Sequence, residues 1–130
     1  MIAILIRTVI VEDDLLAVRR LERLLGLIGV TELISVVYDG LAAVAVVDRL
    51  KPDLLLLDID LPKLSGLEVL ARITHRPLVV IASAHSEFRA IARSSEAIAF
   101  LDKPIELEPL RRAIEDVRLK WLQRCAASAT

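Results

Sequence analysis

The stretch LLLLDIDLPKLSG, residues 54–66, runs four leucines into Asp58 and sets a second acid two residues on, at Asp60. Glu12, Asp13 and Asp14 form another acidic group after the apolar run RTVIV, and AFLDKPIE carries Lys103. Carboxylates gathered in one place repel: two unit charges about 4 Å apart cost roughly 4 kcal/mol at an effective dielectric of 20. Such a group either takes up a proton or recruits a cation. Mg²⁺ (or Mn²⁺) suits it, because a hard ion takes one or two carboxylates, keeps several waters and completes its shell with a phosphate oxygen. A carboxylate left partly free can then attack phosphorus, with the metal and an ammonium absorbing the developing charge. The predicted chemistry is phosphoryl transfer onto one of these carboxylates, with Lys103 absorbing part of the charge that develops. The leucines fix Asp58 rigidly at the sheet edge, and the metal makes its charge tolerable there.

Those residues need elements that bring them together. Nearly continuous apolar runs recur at 7–12, 33–37, 54–58, 78–82 and 97–101, which suits strands covered on both faces of a sheet. Helical spacing separates them. Leu15, Val18, Leu21, Leu24, Leu25 and Ile28 follow one three-and-four rhythm, and Leu107, Leu110, Ile114, Val117 and Trp121 follow another. Asp39, Ser65 (with Glu68 in a capping-box spacing) and Ser86 mark helix starts, and Pro109 suits the first turn of the last helix. Alternating strands and helices with short connections predict a parallel sheet with helices on both faces.

In such a sheet the functional crevice lies beyond the carboxyl ends of the strands. Glu12, Asp13 and Asp14 follow the first strand, Asp58 and Asp60 end the third, Ser83 follows the fourth and Lys103 the fifth. All fall on one edge. Each residue alone has an ordinary explanation: Asp13 or Asp14 as a helix cap, Asp60 as turn chemistry before Pro62, Lys103 as a solvated loop lysine, Ser83 as a satisfied strand-end hydroxyl. Their arrival on one edge together favours the functional account.

Composition bounds the rest. With 130 residues the chain fits one domain, read as residues 1–123 with a disordered tail at 124–130. Hydrophobic residues make up 55% and aromatics 3%, so the interior is aliphatic. A formal net charge of −1 gives no argument for direct nucleic-acid binding or an anionic membrane. Cys125 has no partner for an internal disulfide, which predicts a reducing, cytoplasmic setting, and no apolar run reaches the roughly 18 residues of a membrane span.

VIVEDD, LLLLDIDLPKLSGLEVL, VVIASA and AFLDKPIE, in this order and spacing, resemble the four signature blocks of bacterial response-regulator receiver domains. The resemblance runs from about residue 7 to 122. It implies the CheY-like, flavodoxin-like doubly wound α/β fold, (βα)5, with parallel strand order 2-1-3-4-5. It further implies Asp58 as phosphoacceptor, receiving a phosphoryl group from a sensor histidine kinase or histidine phosphotransfer protein. Glu12 and Asp13 match the acidic metal pair, and Asp60 matches the residue whose backbone carbonyl also binds Mg²⁺. Lys103 matches the phosphoryl-contacting lysine, Pro104 a usually cis proline, Ser83 the switch hydroxyl and Phe100 the switch aromatic. The partners so implied are the phosphodonor, a downstream effector or output domain, and a second copy through the surface of the fourth helix, fifth strand and fifth helix. Residues 82–106 also resemble receivers attached to LytTR-type DNA-binding domains.

Two departures and two alternatives stand beside this. Glu96 occupies a place after the fourth helix where Gly or Asn is common, so that helix is expected to end differently. His85 reads as an exposed loop residue near the site, and His75 as a surface turn residue. Asp58-Ile59-Asp60 also has the D-x-D form of haloacid-dehalogenase-like phosphohydrolases, but Leu61-Pro62 follow it and it ends the third strand instead of the first. A phosphorylation-independent interaction platform is the other alternative, opposed by the retention of Asp13, Asp58, Ser83 and Lys103. On the receiver reading the chain is no enzyme beyond self-phosphorylation and slow autodephosphorylation.

Overall fold

The structure, a computed structural model, describes residues 4–93 and 95–129, without the side chains of Ile91, Ala92 and Ala129. Five strands, β1 (Ile6–Val11), β2 (Thr31–Val37), β3 (Leu54–Asp58), β4 (Leu78–Ser83) and β5 (Ala99–Asp102), alternate with five helices. These are α1 (Leu15–Ile28), α2 (Gly40–Leu50), α3 (Gly66–Arg72), α4 (Arg89–Arg93) and α5 (Leu107–Ala129). All strand pairs are parallel and the order is 2-1-3-4-5, the topology the sequence predicts.

The leucine run is explained by the strand's period of two. Leu54 and Leu56 join a core with Ile10, Leu101 and the inner faces of α1 and α5, while Leu55 and Leu57 join a second core with Val9, Ile81, α2 and α3. Each fully buried leucine contributes about 1.5–3 kcal/mol. Both sides of β3 are therefore held tightly up to Asp58.

Helix starts follow the predicted chemistry at three places. Asp14 caps α1 by accepting from the Leu16 N–H at 3.0 Å, Asp39 caps α2 through the Ala42 N–H at 2.8 Å, and Ser65 caps α3 through the Glu68 N–H at 3.3 Å. Three expectations are corrected. Ser86 is no helix cap but the first residue of a 3-10 turn, Ser86–Phe88, that leads into α4. Leu15 is exposed, and the buried face of α1 begins at Val18. The α5 helix continues to Ala129, through residues predicted to fray, although residues 122–128 are all exposed. Phe88 is half-buried against the second core, and α4 is five residues long.

Candidate functional site

The period of two that sorts the leucines also gathers the charges. Ile10, Leu56 and Leu101 share the first core; two residues beyond them along their strands stand Glu12, Asp58 and Lys103. The Lys103 ammonium pairs with the Glu12 carboxylate and lies 3.1 Å from Asp58 Oδ2. Glu12 and Asp58 are 5% and 4% exposed, burial that such acids tolerate only with partners. Asp13 is exposed at the rim, and one oxygen from each of Glu12, Asp13 and Asp58 lies within 4.8 Å of the others.

Backbone contacts lock these positions. The Glu12 N–H donates to the Val37 carbonyl at 2.9 Å, the Ile59 N–H to Ala82 at 3.1 Å, and the Lys103 N–H to Ser83 at 3.0 Å. Asp58 Oδ1 accepts the Asp60 N–H at 3.1 Å, which fixes the carboxylate's rotation. Behind Asp58, a Cβ on Gly66 would lie 2.5 Å from the Asp58 carbonyl oxygen, so only glycine permits this approach of α3. The Lys103–Pro104 peptide bond is cis.

The electrostatics follow from burial and crowding. Burial pushes the Glu12 carboxyl above its ordinary value and the Asp58 charge adds to the rise, while the hydrogen bond from Lys103 opposes it. Asp13 is raised as well, first by partial burial and then by its contact with Glu12. For Lys103, burial pulls the pKa down, but the Glu12 hydrogen bond and the Asp58 and Glu12 charges outweigh it and the net direction is upward. One ammonium thus balances part of the charge of three converging carboxylates. The donor set is all oxygen and fits a hard divalent cation.

Not every predicted acid joins the cluster. Asp14 is spent on the α1 cap. The Asp60 carboxylate is exposed and turns to the far side, accepting from Ser83 Oγ at 3.4 Å and lying 3.7 Å from His85 Nε2. Ser83 is buried and its hydroxyl also accepts the His85 N–H at 3.0 Å. His85 is exposed, as expected. Phe100 packs half-buried against the second core, on the side opposite the acidic cluster's core. Sequence reasoning missed the Arg89 side chain, which lies over the Phe100 ring and pairs with Asp102; no local spacing links those residues. It also missed Gly66, although a glycine in the first turn of a helix is a poor helix former and signals a need for room.

Residues 8–115 match the model of the response regulator receiver domain family. Among curated proteins, the positive alginate biosynthesis regulatory protein of Pseudomonas aeruginosa is 42% identical over 110 residues, covering 82% of this chain and 44% of that one. The transcriptional regulatory protein BtsR of Salmonella typhi is 34% identical over 116 residues, covering 88% and 48%. The chain thus spans about half the length of the curated relatives it matches. Among solved structures, the response regulatory domain of mrkE from Klebsiella pneumoniae superposes with a TM-score of 0.82 at 27% identity, covering 90% of this chain and 98% of that one. The response regulator domain of Thermotoga maritima CheB gives 0.75 at 27% identity, covering 90% and 96%. The haloacid-dehalogenase alternative gains no support from these matches, which all point one way. The chain belongs to the receiver domains of response regulators, the phosphoacceptor signalling modules of two-component systems.

Proposed function

We propose that Asp58 accepts the phosphoryl group, taking it from a phosphohistidine on a sensor histidine kinase or a histidine phosphotransfer protein. The observation that carries this reading is the meeting of Glu12, Asp13 and Asp58 oxygens within 4.8 Å, with Lys103 Nζ 3.1 Å from Asp58. Asp58 Oδ2 attacks phosphorus and forms the O–P bond while the N–P bond breaks, its electron pair going to the donor ring. With the other ring nitrogen of the phosphohistidine already protonated, the donor leaves as neutral imidazole. Glu12, Asp13, Asp58 and the Asp60 carbonyl are the groups that would hold Mg²⁺ or Mn²⁺. Bound there, the ion supplies charge neutralisation for the equatorial phosphoryl oxygens. Lys103, already between Glu12 and Asp58, contributes a second positive charge at the same point.

A phosphoryl group on Asp58 brings up to two negative charges and three acceptor oxygens that call for donors. Lys103 is in place, and the Ser83 hydroxyl can exchange its Asp60 contact for one with the new group. That movement frees space towards which the Phe100 ring turns, remodelling the surface of α4, β5 and α5. Such a change is a two-state element biased by a local charge. The altered surface is read by a downstream effector or output domain, or by a second copy of the chain, in the cytoplasm.

The test is incubation with acetyl phosphate and Mg²⁺ followed by intact mass. One phosphoryl group is expected on the wild type, and none on Asp58→Asn or after chelation. A gain that persists in Asp58→Asn would overturn the assignment.

A further inference from the structure

We infer that Arg89 is a positioning residue that clamps the switch aromatic: one guanidinium holds Phe100 and Asp102 and so keeps α4 on β5 in the unphosphorylated arrangement. The inference rests on the proposed role of Phe100 and adds the group that restrains it. Arg89 opens α4, and its Nη2 lies 2.7 Å from Asp102 Oδ2 while its Cζ sits 4.9 Å from the centre of the Phe100 ring. Phe100 and Asp102 alternate on β5, so their side chains leave the strand on the same side and a single planar cation spans both. The guanidinium suits this double contact, since its flat face lies on a ring while its edge donates to a carboxylate.

The position of this clamp gives it leverage. β5 is a four-residue strand at the edge of the sheet, paired on one side only. Phe100 packs on the second core, and Arg89 covers it from outside. Asp102 immediately precedes Lys103, and its strand partner is Ser83. The same side chain therefore touches the switch ring and the residue next to the phosphoryl-contacting lysine. Releasing Phe100 requires the stacked guanidinium to let go, which opposes the phosphorylated arrangement until phosphorylation supplies enough driving force. Ion pairs and cation–π contacts at partly exposed sites are weak one by one, so their loss is expected to shift the balance by about three- to tenfold.

The experiment has two readouts. The 130-residue chain labelled with fluorinated phenylalanine gives two fluorine NMR lines, one for each phenylalanine, and Phe100→Leu identifies the Phe100 line. In the absence of phosphodonor, Arg89→Ala is expected to move or broaden that line. Arg89→Lys, which keeps the charge but loses the flat stacking surface, is expected to fall between. The initial rate of phosphoryl uptake from acetyl phosphate should rise about three- to tenfold in Arg89→Ala and in Asp102→Asn, with Arg89→Lys partly restoring the wild-type rate. A Phe100 line unchanged in Arg89→Ala, or an uptake rate that fails to rise in a folded variant, overturns the clamp. Failure of the wild type itself to take up phosphate overturns the phosphoacceptor reading instead, and the ring signal still decides whether Arg89 holds Phe100.

Discussion

At the amino edge of the sheet, Asp53 accepts the Arg7 N–H at 2.9 Å, and Asp48 accepts the N–H groups of Thr74 and His75 at 2.9 and 3.0 Å. The Arg7 guanidinium donates to the carbonyls of Leu50 and Lys51, Arg124 donates to that of Arg76, and His75 Nε2 lies 2.7 Å from the Pro52 carbonyl. His75 is thus a half-buried strut, not the surface turn residue the sequence suggests. At the carboxyl edge, Glu12, Asp13 and Asp58 face one another and share Lys103. The pKa directions follow suit: the hydrogen bond from His75 is the main reason Asp48 lies below its ordinary value, while burial raises Glu12 and Asp13. The same residue types close loops at one edge and hold unbalanced charge at the other. What a carboxylate faces, and not its presence, separates a strut from a site.

Removing the cation at each edge gives the largest contrast. Lys103→Met leaves Glu12 and Asp58 buried side by side without their shared partner, and an uncompensated buried charge is costly. Glu12 relieves part of that by taking a proton, so the expected loss in metal-free buffer is about 2 kcal/mol by urea denaturation. Arg124→Met removes one donor to an exposed carbonyl and should cost less than about 1 kcal/mol. Equal losses would show that the carboxyl edge carries no special electrostatic load.

A smaller effect separates the edges by the sign of their pH dependence. Glu12 and Asp13 have folded values above the ordinary 4.5 and 3.8, so the native chain binds more protons than the unfolded one across that interval. Their contribution to stability therefore falls as pH rises from the ordinary value through the raised one. Asp48 lies below its ordinary 3.8; its contribution is present above that value and is lost as pH falls through the depressed one. In metal-free urea titrations, Glu12→Gln should flatten the first slope and Asp48→Asn the second. If Glu12→Gln leaves the decline on raising pH intact, burial is not what sets the Glu12 carboxyl.

How much of this could be read beforehand depends on the range of the cause. Strand order, the helix caps at Asp39 and Ser65, and the edge on which Glu12, Asp58, Ser83 and Lys103 lie follow from local patterns and one topological rule. Their parity was not legible, because strands that are apolar on both faces show no alternation; only the structure shows that Glu12, Asp58 and Lys103 each stand two residues past a residue of one core. The split between Asp13 and Asp14 was not legible either, because both follow the strand and only the helix start shows which one caps it. Nor was the contact of Arg89 with Phe100 and Asp102, which depends on where a short α4 sits against β5. The helical course beyond residue 123 was obscured because residues 124–128 are exposed and none of them packs into either core.

The smallest predicted effect concerns slack, which the two edges hold unequally. At the carboxyl edge, a Cβ at Gly66 has no room beneath Asp58, and one at Gly40 would lie 2.1 Å from the Leu64 carbonyl oxygen in the loop that follows β3. Near the amino edge, Gly26 sits inside α1 with nothing within 4 Å of where a Cβ would stand, and its φ is not in the left-handed region. Glycine within a helix costs about 0.5–1 kcal/mol relative to alanine, mostly through the freedom it gives the unfolded chain. Gly26→Ala should therefore raise stability by roughly 0.5 kcal/mol, discounted because the site is near the helix end, where fraying already weakens the gain. Since Gly26 lies at the end of α1 remote from Asp13 and contributes nothing to the acidic cluster, the rate of phosphoryl uptake should stay unchanged. A stability gain accompanied by slower uptake would mean that the two ends of α1 are coupled, and that the amino edge is not the passive scaffold its closed hydrogen bonds make it.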